Sequence, residues 1–232
     1  MANFIANKEI AQSETFSSGP IKTTGIHKGH FTKAYVRRGQ APGAKSEAIH
    51  FEFSSTSGGY GSFDIWYQGR DGAKSDRGIA QIHGLMELLG IDELKEKKND
   101  KIDVYDWELR ATRQITVDSY PALLNKFIGT VWQAEEYIKQ DKKDGQWVDT
   151  DPPVIRERAV FLRFCDAETH ASALEVINGA DPVAIDAYVA GLPEIKRVNA
   201  SNQAARAVNI DDQARNQPAT QSFDDFDDDI QY

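Results

Sequence analysis

The sequence has little of several residue types, and each shortage excludes a class of protein. It contains one cysteine, Cys165, among 232 residues, which excludes an intramolecular disulfide framework and a zinc site built from several cysteines. It shows no run of 18 apolar residues and no cleavable signal segment, so we expect a cytoplasmic protein with no membrane partner. It also lacks a phosphate-binding loop ending in Lys-Ser or Lys-Thr and a nucleophile elbow. We therefore expect neither an enzyme nor a bound cofactor or metal ion.

Positive charge is in deficit overall, but its distribution is uneven. The formal net charge is -9, which alone would argue against nucleic acid. From Val198 onward there are seven aspartates and two arginines, a net of -5, which leaves -4 for residues 1–197. The segment 21–46 contains six basic residues and no acidic one. A locally basic segment and a separate acidic tail are the features that a function has to explain.

Hydrophobic periodicity predicts mainly strands. Period-two alternation indicates strands over about 28–38, 47–55 and 62–68, and helical spacing then indicates a helix over 78–90 that ends at Gly90. Alternation returns over 101–117, 125–138 and 154–166, and 166–192 is typical of one or two short helices. This order predicts a mainly β, α+β fold, namely a five-stranded barrel of the OB type with a helix between strands three and four and extra C-terminal helices.

Composition divides the chain into three parts. Residues 1–197 form the predicted barrel domain with its helical extension. Residues 198–222 are rich in Asn, Gln, Ala and Asp and lack aromatic residues, which predicts a disordered linker. Residues 223–232 form an acidic tip, which combines five aspartates with Phe223, Phe226, Ile230 and Tyr232.

The first predicted strand carries the pattern most relevant to function. Strict alternation places Phe31, Lys33, Tyr35 and Arg37 on one face, opposite the smaller side chains of Thr32, Ala34 and Val36. Rings that stack on bases, beside cations that meet phosphates, bind single-stranded nucleic acid without sequence preference. The alternative is structural, with the two rings covering a second core and the cations merely solvated.

Further candidates come from the next strand and from the loops. Trp66 is out of phase with Phe63, Ile65 and Tyr67, so it is predicted to point away from the core, and the glycines around Tyr60 would let that ring adapt to a base. The predicted DNA-binding residues are Lys28, Phe31, Lys33, Tyr35, Arg37, Arg38, Lys45, Tyr60, Trp66, Arg70, Lys74 and Arg77.

Patterns that would indicate catalysis are weak. His27 and His30 have an i, i+3 spacing but no third ligand nearby, so metal binding is not expected. The carboxylate pairs Asp103/Asp106 and Glu135/Glu136 could hold magnesium in a nuclease, although solvated strand carboxylates are far commoner.

The last residues resemble a known recognition motif. DFDDDIQY is similar to the C-terminal tip of bacterial single-stranded DNA-binding proteins, Asp-Phe-Asp-Asp-Asp-Ile-Pro-Phe, with Gln231 in place of Pro and Tyr232 in place of Phe. In that family the tip docks into basic-rimmed hydrophobic pockets of replication, recombination and repair proteins. The resemblance implies a partner-binding set of Asp225, Phe226, Asp227, Asp228, Asp229, Ile230 and Tyr232.

The body of the chain resembles a related group. The segments GHFTKAYV, FDIWYQGRDG and LMELLG look like those of OB-type single-stranded DNA-binding proteins of bacteriophages. Together the two resemblances imply a protein that coats single-stranded DNA in the cytoplasm of a host bacterium and recruits partners through its tip. The alternatives are a recombination mediator or strand-annealing protein, an adaptor or decoy that occupies the host pocket, and a nuclease. Homo-oligomer formation is left open.

Overall fold

The computed structural model describes residues 19–106, 109–143 and 146–198. The strands are β1 (Gly19–Pro20), β2 (Gly25–Arg38), β3 (Glu47–Ser55), β4 (Gly59–Gln68), β5 (Lys97–Asp106), β6 (Ala111–Ser119), β7 (Phe127–Ile138), β8 (Gln140–Lys143), β9 (Gln146–Asp149), β10 (Ile155–Cys165) and β11 (Lys196–Val198). The helices are α1 (Asp76–Leu89), α2 (Ala173–Asn178) and α3 (Ala184–Ala190), with a 3₁₀ turn at Pro121–Leu123. The fold is therefore mainly β with few helices, as the sequence predicts.

Strand β2 organises the first of two compact units, which contains Gly25–Trp132 and Phe161–Gly191. One edge of β2 pairs antiparallel with β3, which pairs with β4. The other edge pairs antiparallel with β7 over Gly25–His30 and with β6 at Tyr35, and β6 continues into β5. Two strands, β7 and β6, thus share one edge of β2, and the sheet is nearly closed and barrel-like.

The second unit contains Gln133–Val160, with Lys22–Thr24 and residues 192–198. Its main strand is the second half of β7, which pairs in parallel with β11 so that Glu135 lies opposite Lys196. Buried Glu135 accepts hydrogen bonds from Arg158 at 3.0 and 3.1 Å, so its charge is compensated. Strands β8 and β9 form a separate antiparallel hairpin.

Aromatic side chains fill the interior of the first unit. Phe63 stacks on Phe161 with ring centroids 3.8 Å apart, and Trp132 meets Phe63 edge-on at 5.6 Å. The cluster consists of Phe31, Phe51, Phe53, Phe63, Phe161, Phe164 and Trp132. Burying a phenylalanine side chain contributes roughly 1.5–3 kcal/mol, and a well-placed ring pair adds about 0.5–1.5 kcal/mol. This cluster therefore holds the two sides of the sheet together.

A β-bulge in β2 overturns one prediction from the sequence. Phe31 lies opposite Phe53, but the next pair is Lys33 with Glu52, so Thr32 is an extra residue in the ladder. The extra residue shifts the alternation by one position. Phe31 is 0% exposed within the aromatic cluster, whereas Lys33, Tyr35 and Arg37 point outward. The predicted base-stacking role of Phe31 is therefore wrong, because strict alternation does not hold across a bulge.

Several other features differ from the sequence predictions. The main sheet has nine strands in the described ranges, instead of the five of the predicted barrel. The region 101–117 folds into two strands, β5 and β6, and a 3₁₀ turn follows them before β7. Val198, which the sequence assigns to the linker, is buried at the end of β11. The rest of the linker and the tip 223–232 lie outside the described residues. Among the described residues, no helix is long and apolar enough to cross a membrane.

Candidate nucleic-acid interface

The outer face of β2, β3 and β4 presents three rows of side chains, and we call this surface the outer face. Residues directly opposite one another in a sheet point to the same side. The rows are Arg37–Ala48–Trp66, Tyr35–His50–Asp64 and Lys33–Glu52–Ser62. Successive rows are roughly 6.6 Å apart, the advance of two strand residues. Two partly exposed rings and two cations thus lie on one side of the sheet, in three successive rows.

The cations on the outer face already have anionic partners. Lys33 Nζ lies 2.7 Å from Glu52 Oε2, and Arg37 Nη1 donates to Asp64 Oδ2 at 3.0 Å. Asp64 also lies 2.6 Å from Nδ1 of His50, and the His50 ring is 4.9 Å from that of Tyr35. A phosphate that contacts Lys33 or Arg37 would compete with a carboxylate that is already there.

Arg38 is held in the same way at the end of β2. It donates to Asp118 at 2.9 Å and to Glu47 at 3.0 Å, and these bonds raise the pKa of the Arg38 guanidinium. The hydrogen bond from Arg38, followed by that from the Asn99 backbone, lowers the pKa of Asp118 to about 2. The predicted phosphate contact of Arg38 therefore competes with these two carboxylates.

The loops next to the outer face supply cations of a different kind. The backbone N–H of Lys45 donates to the carbonyl of Arg70 at 3.0 Å, which joins the β2–β3 loop to the β4–α1 loop. Lys74 donates to Gln68 at 3.2 Å and lies over the ring of Tyr67 at 5.6 Å. Within the described ranges, the side chains of Lys45, Arg70 and Lys74 form no ion pair, so phosphates can reach them without displacing a carboxylate.

Helix α1 begins beside this loop cluster and fixes its position. Ser75 caps the helix by accepting from the N–H of Gly78 at 3.2 Å, and Arg77 is in the first turn. A Cβ on Gly78 would overlap the carbonyl oxygen of Trp66, so only glycine permits this approach of the helix to β4. The backbone beneath Trp66 is therefore held by the helix.

The structure brings together many of the predicted residues. Lys33, Tyr35, Arg37 and Trp66 share the outer face, Tyr60 is exposed on the same side of β4, and Lys28 and Arg38 lie towards the two ends of β2. Lys45, Arg70, Lys74 and Arg77 lie in or beside the two loops. The sequence predicts that Asp64 points outward with Trp66, but the pairing of Lys33 with Glu52 and of Arg37 with Asp64 was missed. Each carboxylate directly follows an inward-facing phenylalanine, so alternation was a signal for the same outward face.

A separate groove lies on the inner side of β4. It has a volume of about 380 Å³ and is lined by Tyr67, Ile79, Ile82, Met86 and Tyr120, among others. Burial raises the pKa of both tyrosines, and the Tyr67 hydroxyl donates to Glu47 at 3.1 Å. Because Tyr67 points away from the outer face, a ligand on Trp66 would not occupy this groove.

Comparison with known proteins does not assign the chain to a family. No protein-family model matches the sequence, and no curated protein matches it either. Among the residues that the structure describes, no three His, Cys, Asp or Glu side chains are grouped so as to hold a metal ion. The functional argument therefore depends on the outer face and its loops.

Proposed function

We propose that this protein binds single-stranded DNA without sequence preference, coats it during phage replication and recombination, and recruits partner proteins through its acidic tip. The observation that carries the proposal is the outer face, on which Tyr35 lies between Lys33 and Arg37 and Trp66 lies in the Arg37 row, beside the cationic loops. Aromatic platforms beside cations bind unpaired bases and phosphates together.

The order of the strands supports an OB-type barrel as the framework. Three antiparallel strands, β2 to β4, precede helix α1, and β7 then pairs with both β2 and β10. OB folds bind oligonucleotides on the face of their second and third strands and on the neighbouring loops. In this chain those elements are β3, β4 and the β2–β3 loop, the elements that carry Trp66 and Lys45. The β5–β6 hairpin is then an insertion between the helix and the fourth barrel strand.

Binding on this face is an exchange of anions. In the free protein Lys33 and Arg37 form ion pairs with Glu52 and Asp64. In the complex, phosphates replace some of these carboxylate contacts. The exchange gains little net charge attraction, because each cation loses one anionic partner as it gains another. Affinity therefore comes mainly from stacking and from the loop cations, and a surface that reads no base edges gives no sequence preference.

The acidic tip completes the proposed function. Its carboxylates would steer it to basic surfaces, and its apolar side chains would fill a pocket of a replication, recombination or repair protein. No catalytic step is part of this proposal.

The proposal is tested by titrating the protein with dT oligonucleotides of graded length while following tryptophan fluorescence. We expect saturable binding, with log K falling against log[salt] at a slope of roughly -3 if about four loop and β2 cations neutralise phosphates. Mixed-sequence oligonucleotides should bind with similar affinity. If none of these oligonucleotides binds, the proposal is wrong and an adaptor function is favoured. The ion pairs of the outer face are consistent with that alternative, because they already neutralise its cations.

A further inference from the structure

A second row of exposed rings crosses the same side of the sheet near the start of β2. The register places Phe127 of β7 opposite His30, His30 opposite Ser54, and Ser54 opposite Tyr60 of β4. The four side chains therefore point to one side. Phe127 is 58% exposed and Tyr60 49% exposed, and the rings of His30 and Phe127 have centroids 6.5 Å apart.

Neighbouring residues show that this side is the outer face. Gly29 and Phe31, which flank His30, are buried, and a Cβ on Gly29 would overlap the Phe53 ring of the core. Gly61, next to Tyr60, faces Trp132 in the same core. Alternation then requires His30 and Tyr60 to point outward. The bulge at Thr32 lies between this row and Lys33, so the outer face is continuous from Phe127 to Trp66.

The charges at this end differ from those at the other. Lys28, two residues before His30 on the same side of β2, lies opposite Gly129 and forms no ion pair with a described residue. No carboxylate is in register with Lys28 or His30 over the described strands. An incoming phosphate would meet a cation here that forms no ion pair with a described residue, in contrast to Lys33 and Arg37.

We propose that Phe127, His30 and Tyr60 form a second site for unpaired bases, with Lys28 contacting an adjoining phosphate. This inference rests on the proposed function and adds Phe127 and His30 to its binding residues. Tyr60 and Trp66 are six residues apart on β4, so the two stacking positions are about 20 Å apart. The bound strand then runs along β2, with its middle nucleotides over the Lys33 and Tyr35 rows.

The test compares Phe127→Ala with Leu174→Ala, a control that removes an apolar side chain 67% exposed on α2. Each variant is titrated with a long dT oligonucleotide and with one too short to reach from Trp66 to Phe127. We expect Phe127→Ala to weaken binding of the long oligonucleotide by roughly 5- to 100-fold, the range for losing one stacked base. The short oligonucleotide and the control should show no change, and Phe127→Trp should restore the affinity.

The outcomes separate this inference from the function on which it rests. If Trp66→Ala weakens binding of the long oligonucleotide but Phe127→Ala does not, the second site is wrong and single-strand binding stands. If the wild-type protein binds neither oligonucleotide, both are wrong. If Phe127→Ala lowers the melting temperature, the same titrations are made with Tyr60→Ala, at the other end of the row. An unchanged affinity of Tyr60→Ala for the long oligonucleotide would then overturn the inference.

Discussion

At the scale of single residues, the outer face combines rings that are partly exposed with cations that are already paired. Arg37 and Lys33 each contact one carboxylate, whereas Trp66 and Tyr35 keep part of their rings accessible. Removing a ring and removing a carboxylate should therefore have opposite effects on DNA binding.

Tyr35→Ala and Trp66→Ala should each weaken binding to single strands by roughly 1–3 kcal/mol, because each removes a surface on which a base stacks. Neither ring belongs to the aromatic core, so the melting temperature should change little. Fluorescence anisotropy of a labelled dT oligonucleotide and thermal unfolding check the two parts. A large fall in melting temperature for both variants would show that these rings are structural.

Glu52→Gln should strengthen binding, because Lys33 would no longer exchange a carboxylate for a phosphate. The expected gain is at most about 1 kcal/mol, since the Lys33–Glu52 pair is still partly accessible to solvent. The salt dependence should also become steeper, since one more cation is then neutralised only by DNA. Ser62→Ala, in the same row, is the control that leaves the charges unchanged. Unchanged affinity and slope for Glu52→Gln would contradict the exchange mechanism.

Glu175 provides a pH-dependent contribution to stability away from this face. Its carboxylate accepts from the backbone N–H groups of Ser172, Ala184 and Val183 at 2.7–2.8 Å, and these bonds lower its pKa to about 2. In an unfolded chain the pKa of a glutamate is about 4.3. The folded-state pKa is the lower one, so the stabilisation is complete above about pH 5 and is lost as the pH falls towards 2.

Glu175→Gln should therefore be less stable than the wild type at pH 7, and the difference should shrink steadily between about pH 5 and pH 2. Melting temperatures of both proteins across this range give the measurement. If the difference in melting temperature stays constant down to pH 2, the charge of Glu175 does not contribute to stability.

At the scale of secondary-structure elements, position was easier to predict than register. The strand over 47–55 and the stop of the helix at Gly90 are confirmed, since β3 has those bounds and Gly90 caps α1 with φ of +59°. These signals are local, in the form of alternation and a residue that tolerates positive φ. The sequence could thus place most of the barrel.

Two features could not be predicted from local patterns. The turn between β5 and β6 has no glycine or proline, and Arg110 adopts a positive φ of +50° there, so 101–117 looked like one segment. The bulge at Thr32 also has no residue signature, because what requires it is the burial of Phe31 beside Phe53. Both depend on contacts between distant parts of the chain.

Gly78→Ala offers a test of how α1 is placed. In an isolated helix this change would be favourable by about 1 kcal/mol. Here the added Cβ would overlap the backbone of Trp66, so the protein should be destabilised and its DNA affinity lowered together. Gly84→Ala in the same helix meets only the Cβ of Ala173 at 3.3 Å, so its effect should be much smaller. A stabilised Gly78→Ala protein would show that α1 is not held against β4.

At the scale of the whole molecule, charge is divided between a basic stretch early in the chain and an acidic end. The segment 21–46 contains six basic residues and no acidic one, and the residues from Val198 onward carry a net charge of -5. The two oppositely charged parts belong to one chain, so each is present at high effective concentration around the other. The acidic end therefore competes with DNA for the basic stretch, and the basic stretch competes with partner proteins for the acidic end.

Deleting residues 223–232 should leave the melting temperature unchanged and raise the affinity for single strands at low salt. The gain should shrink at high salt, where screening weakens the competing contact. Titration of both proteins at two salt concentrations measures this. Tyr232→Ala should retain the wild-type affinity for DNA and lose most binding to partner proteins. Weaker DNA binding after the deletion would contradict the competition.

The bulge at Thr32 has a consequence for how this protein tolerates different kinds of mutation. Thr32 is exposed, so a library of point substitutions should find almost any residue acceptable at this position. Its removal would close the bulge and put one half of β2 out of phase with the other. Either Phe31 would leave the core, or Lys33, Tyr35 and Arg37 would turn into it. A library of single-residue deletions should therefore rank Thr32 among the least dispensable positions of the chain.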